Sequence, residues 1–140
     1  MTVALGTTDV HEHGAYLVRR ALEAVGIDVV DAGASVDAET LVETAMREGA
    51  SAIAVSTYNG VGLSYARALI AELDRRGCCL PVMIGGKLNE VPENSNTQLP
   101  VDVSDQIART GAIPCRDLDD MLPVLRRLCG FRDDDEGPRR

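Results

Sequence analysis

Short apolar runs alternate with longer amphipathic ones along nearly the whole chain, and this alternation constrains the fold more than any other feature. TVALG (2–6) is short, β-branched at its start and closed by glycine, as a strand is. YLVRRALEAVG (16–26) follows, with Leu17, Val18, Ala21, Leu22 and Val25 at helical spacing and Gly26 as the stop. IDVVDAG (27–33) reads as a second strand. DAETLVETAMREG (37–49) reads as a helix capped by Asp37, with Leu41, Val42, Ala45 and Met46 inward and Gly49 at its end. SAIAVS (51–56) is a third strand, LSYARALIAELDRRG (63–77) a helix burying Leu69, Ile70 and Leu73, and LPVMIGG (80–86) a fourth strand. Beyond the polar stretch 87–100, residues 101–110 suggest a short helix and 112–115 a short strand. Residues 118–130 suggest a final helix with Pro123 near its first turns.

Strict β-α alternation implies an α/β fold: parallel strands joined by right-handed crossovers, with helices on both faces. Five strands suit a doubly wound five-stranded parallel sheet of order 2-1-3-4-5. The chain's 140 residues are enough for one domain with a proper core. Only 3% of them are aromatic, so that core is built from Val, Ile, Leu and Ala. We expect one domain over 1–131 and a polar, disordered tail over 132–140.

A net charge of −8 argues against nucleic acid, which is bound through cationic contacts to phosphate. No apolar run is long enough to span a membrane, and the N-terminus has no signal-peptide pattern. Cys78, Cys79, Cys115 and Cys129 form no C-x-x-C pair and read as free thiols. Together these predict a cytoplasmic protein with small-molecule or protein partners.

In a sheet of this order, ligands bind beyond the carboxyl ends of the strands, at the switch point between strands 1 and 3. The loops after strands 1, 3 and 4 are the polar and glycine-rich ones: TTDVHEHG, STYNGVG and GGKLNE. The first holds both histidines of the chain, His11 and His13. Asp9 and His11 flank Val10, so an extended segment turns both side chains the same way. A carboxylate on one imidazole nitrogen fixes the tautomer and makes the other nitrogen a better metal ligand. The alternative is an exposed loop histidine; zinc would need Glu12 or a distant cysteine as well. Gly60 and Gly62 suit either a phosphate cradle or a tight turn, and Gly85-Gly86 either a ligand's close approach or a turn. No G-x-G-x-x-G follows strand 1, which disfavours a dinucleotide fold.

In combination these loops are more specific. Residues 9–14 form D-x-H-x-x-G; after 41 intervening residues (15–55) comes Ser56-Thr57-Tyr58, and after 26 more (59–84) comes Gly85-Gly86. Motif and spacing resemble the cobalamin-binding domain of B12-dependent mutases and methyltransferases, over roughly residues 1–128. The resemblance implies a flavodoxin-like (Rossmann-like) fold with cobalamin as cofactor. It gives His11 the role of lower axial ligand to cobalt and Asp9 that of its hydrogen-bonding carboxylate. Gly14 would let the nucleotide tail pass the first helix. The Ser56 hydroxyl would meet a ring nitrogen of the tail's benzimidazole, and Gly85 and Gly86 would leave room for the tail. Tyr58 stands where the family has leucine, which alters the seating of the tail; His13 lies outside the motif and reads as a loop residue.

Homolysis of a cobalt–carbon bond needs a closed, water-excluding substrate cavity, for which one domain of this size has no room. The resemblance therefore implies the small subunit of a two-component, adenosylcobalamin-dependent carbon-skeleton mutase. Its substrate barrel would be a separate large subunit, and it would be inactive alone. VSTYNGVG (55–62), with Gly60 and Gly62, is similar to the corresponding loop of glutamate mutase (methylaspartate mutase) small subunits. Residues 87–103 differ from that pattern, which leaves room for another substrate. The rival classes are a corrinoid carrier for methyl transfer and a non-catalytic cobalamin sensor or chaperone.

Overall fold

A computed structural model describes residues 2–8, 13–57, 61–86, 88–90, 101–115 and 118–129. In chain order the elements are β1 (Thr2–Thr7), α1 (His13–Ala24), β2 (Asp28–Gly33), α2 (Ala38–Arg47), β3 (Ala52–Thr57), α3 (Gly62–Arg75) and β4 (Val82–Gly86). Then come β5 (Asn89–Glu90), β6 (Val101–Asp102), α4 (Ser104–Thr110), β7 (Ile113–Cys115) and α5 (Leu118–Cys129). The main sheet is five-stranded and parallel in the order β2-β1-β3-β4-β7, the expected doubly wound topology with β7 as its fifth strand.

The helices lie on both faces. α2, α3 and α4 cover one face, where Leu41, Val42, Ala45, Leu63, Leu69, Leu73 and Ile107 meet Ala4, Ile53, Val55, Val82 and Ile84 of the sheet. α1 and α5 cover the other, where Leu22, Met121, Val124 and Leu125 meet Val3, Leu5, Ala52, Ala54 and Met83. Side-chain alternation along each strand feeds the two layers. Burying each large aliphatic side chain contributes roughly 1.5–3 kcal/mol, which makes these layers the main source of stability.

Local chemistry sets the helix ends. The Asp37 carboxylate accepts from the Thr40 N–H (2.7 Å), and this hydrogen bond holds the Asp37 carboxyl below its ordinary range. Gly49, at φ +69°, follows α2. Glu72 on α3 takes both Arg75 and Arg76, and Arg76 also reaches Glu43 on α2, joining the two helices at their exposed surface.

Four expectations are corrected. α1 begins at His13, so His13 and Gly14 belong to the helix rather than to a loop. Leu17 and Val25 are 46% and 44% exposed; the inward stripe of α1 is Ala15, Val18 and Leu22. Met46 is exposed, because Leu41, Val42, Thr44 and Ala45 already fill the buried side of α2. Residues 101–102 are not helical: they pair antiparallel with 89–90, and α4 starts only at Ser104. Residues 91–100 and the expected tail at 132–140 lie outside the described residues. Among the described residues, no helix is long and apolar enough to cross a membrane.

Candidate functional site

Parallel strands in register bring four distant residues into one row across the carboxyl edge. Thr7 of β1 pairs with Ser56 of β3, Ser56 with Gly85 of β4, and Gly85 with Cys115 of β7. Alternation places all four on the α1/α5 face, one step beyond Leu5, Ala54, Met83 and Ile113. Every member of the row is small. Thr7, Ser56 and Cys115 are buried, and Gly85 is half-buried. The row therefore lies low beneath the helix layer.

The helices above it are spaced differently from those on the opposite face. There α2 packs on α3 and α3 on α4. Among the described residues, α1 and α5 make no comparable contact with each other; α1 rests on β1, β2 and β3, and α5 on β7. In the strand order, β4 marks the line between the strands on which the two helices rest. Arg19 of α1 pairs with Asp31 on the edge strand β2 (3.8 Å). Helical geometry then turns Leu17 and Ala21 the other way, toward that line. At 46% exposure, Leu17 is an apolar side chain left only partly covered among the described residues.

Glycine is required at the end of β4. A Cβ on Gly85 would come within 2.8 Å of the Cys115 carbonyl oxygen. Gly86 has φ +111°, and a Cβ there would collide with the Thr57 carbonyl oxygen. Neighbouring backbone thus demands the pair, and Gly85 additionally keeps the row free of side-chain bulk. Gly62 opens α3 and is buried; a Cβ there would be in ordinary contact with Thr57 Cγ2 and Ile107 Cδ1, both at 3.6 Å.

The loop after β1 is tied to β3. The Thr8 N–H donates to the Ser56 carbonyl (3.2 Å), and the Thr8 hydroxyl donates to Thr57 Oγ1 (2.8 Å). From the α3 side, the Tyr65 hydroxyl donates to the Val36 carbonyl (2.6 Å). Burial, and secondarily the Asp37 charge, push the Tyr65 phenol well above its ordinary range, so it stays a donor.

The structure thus brings Ser56, Gly62, Gly85 and Gly86 to one edge and puts Gly14 in the first turn of α1, which lies on the same face as the row. Asp9, His11, Tyr58 and Gly60 lie outside the described residues. Sequence reasoning missed Thr7, Thr8, Thr57 and Cys115. The Thr-Thr before Asp9 and the threonine after Ser56 were the available signal, but their partnership becomes visible only through the register. Among the described residues no three His, Cys, Asp or Glu side chains are grouped to hold a metal ion, and Cys78, Cys79 and Cys115 are free thiols. A low row of small residues beneath a helix seam fits a long, narrow, mostly neutral group better than a bare cation.

Comparison with known proteins agrees with this geometry. The B12 binding domain family matches residues 2–111. A curated relative, the 2-hydroxyisobutanoyl-CoA mutase small subunit of Aquincola tertiaricarbonis, is 35% identical over 78 residues, covering 56% of this chain and 57% of the relative. The chain thus matches little more than half the length of that relative. Two solved structures share the fold. One is a cobalamin-binding protein from Desulfitobacterium hafniense (TM-score 0.71, 23% identity, 91% of this chain and 58% of that one). The other is the methanol:cobalamin methyltransferase complex of Methanosarcina barkeri (TM-score 0.70, 21% identity, 94% of this chain and 48% of that one).

Proposed function

The chain belongs to the B12 binding domain family, and from that premise we propose that it is the cobalamin-binding small subunit of a two-component, adenosylcobalamin-dependent carbon-skeleton mutase. The observation that carries the site is the Thr7–Ser56–Gly85–Cys115 row beneath the α1/α5 seam, in the fold position where such sheets bind ligands. The mutase relative favours an isomerase subunit over a methyl carrier.

Each residue then has a stated task. His11 would hold the cobalt and Asp9 would orient its imidazole. Gly14 and the apolar α1 flank admit the nucleotide tail. Ser56 offers its hydroxyl to the benzimidazole, Gly85 and Gly86 keep the slot low, and Tyr58, Gly60 and Gly62 close the β3 side. When bound, the cofactor supplies radical chemistry through a weak cobalt–carbon bond. The chain's own contribution is to bind, orient and bury; a separate large subunit provides the substrate cavity. Both an amino-acid substrate of the glutamate mutase kind and an acyl-CoA thioester are compatible with this role.

Electron paramagnetic resonance of the Co(II) form, with and without nitrogen-15 histidine, tests it. A hyperfine pattern that changes on labelling, and that His11→Ala abolishes while His13→Ala does not, is the expected result. An unchanged pattern would sink the reading. Mutase turnover of glutamate or an acyl-CoA should appear only after the large subunit is added; turnover by this chain alone would overturn the two-component assignment.

A further inference from the structure

We infer that Thr57 is a positioning residue that ties the chain leaving β1 to the end of β3, beside the end of β4 and the start of α3. The inference rests on the cobalamin reading above and adds a residue to it. Thr57 is the last residue of β3 and is 0% exposed, although its side chain is polar. It faces a different part of the edge in each direction. Its Oγ1 accepts from the Thr8 hydroxyl (2.8 Å), at the start of the segment that leads to Asp9 and His11. Its carbonyl oxygen lies where a side chain on Gly86 would sit, so β4 can approach only as glycine. Its methyl group lies against the start of α3, 3.6 Å from where a Gly62 Cβ would be.

A buried hydroxyl is costly to desolvate and is kept where it has a partner. The partner here bridges 49 positions of sequence, and the parallel Thr8 N–H to Ser56 carbonyl bond makes the tie two-pronged. The side-chain bond adds a restraint on rotation to the restraint on height that the backbone bond supplies. Only two residues separate Thr8 from His11, so the proposed cobalt ligand is expected to feel that rotation.

Thr57→Val tests this, because it preserves shape and methyl packing while removing the hydroxyl. The amide hydrogen exchange of Thr8 in the cofactor-free protein should speed up at least about tenfold, since the neighbouring prong is lost. Cobalamin should bind about tenfold more weakly, and the histidine-ligated fraction of the Co(II) resonance should fall. Thr57→Ser, which restores the hydroxyl, should recover all three. Thr8→Val removes the donor from the other side and should reproduce Thr57→Val, so the test survives if one variant folds poorly. Unchanged Thr8 exchange in both valine variants would overturn the inference, as would failure of Thr57→Ser to rescue. If the wild-type protein itself lacked a histidine-ligated signal, the cobalamin reading would fall, while the exchange measurement would still decide the tie.

Discussion

The two faces of the sheet are covered by the same kind of helix but in different ways. On one face α2, α3 and α4 lie side by side over Ile53, Val55, Val82 and Ile84, and large aliphatic side chains interlock. On the other, α1 and α5 stand apart over a row that ends in Thr7, Ser56, Gly85 and Cys115, and α1 leaves Leu17 nearly half exposed. Hydrophobic burial scales with the apolar area removed from water, so the first face carries the larger share of stability. The second gives up part of that stabilisation near its upper end. The difference teaches that a doubly wound sheet can divide its labour, with one layer holding the fold while the other stays thin enough to admit a ligand.

Substitutions can break or sharpen that contrast. Leu69→Ala on α3 hollows the tight face, where Leu69 is fully buried, and should cost about 2–5 kcal/mol of unfolding free energy. Cobalamin affinity per folded molecule should hardly change; a comparable loss of affinity would mean that the two faces are not separate. Tyr65→Phe removes the hydroxyl that ties α3 to the Val36 carbonyl and should cost about 1 kcal/mol in chemical denaturation. It should also remove an alkaline dependence. A raised phenol contributes stability in full below the unfolded value of 10.0 and loses it as pH rises toward the higher native value.

Asp37→Asn keeps an N-cap, so the melting temperature at neutral pH should move little. Its signature lies in acid. The depressed Asp37 carboxyl contributes stability above the unfolded value of 3.8 and loses it as pH falls through the lower native value. That part of the acid limb should flatten in the variant, and an unchanged limb would remove Asp37 from the account. Smallest in stability is Leu17→Gln on the thin face, within about 0.5 kcal/mol of wild type. Here the sharper measurement is affinity: cobalamin should bind several-fold more weakly by absorbance titration, and unchanged binding would place the tail elsewhere.

Much of this was legible in the sequence because period and punctuation are local. The alternating 2.0 and 3.6 periodicities indicated the five strands of the main sheet and the crossover helices α1, α2 and α3. The placement of polar loops pointed to the carboxyl edge, where Ser56, Gly85 and Gly86 stand side by side. The failures were of a different physical kind. Strands β5 and β6 have two residues each, too few to show a period. Helix α1 starts two residues before its apolar stripe and has no acidic residue in its first turn to signal the entry. Leu17 fits the helical spacing, but its flank lies beside the seam, which only the position of α5 reveals. The Thr8–Thr57 bond joins residues that are local to nothing in the sequence, since register alone makes them neighbours.

The row across the sheet also says when the protein becomes competent. Its members come from positions 7, 56, 85 and 115, and β1, β3, β4 and β7 must all be zipped before they stand in line. On the proposed reading, cofactor loading is expected to follow completion of the sheet, and ligand present in excess of its dissociation constant would draw the folding equilibrium toward that finished state by mass action.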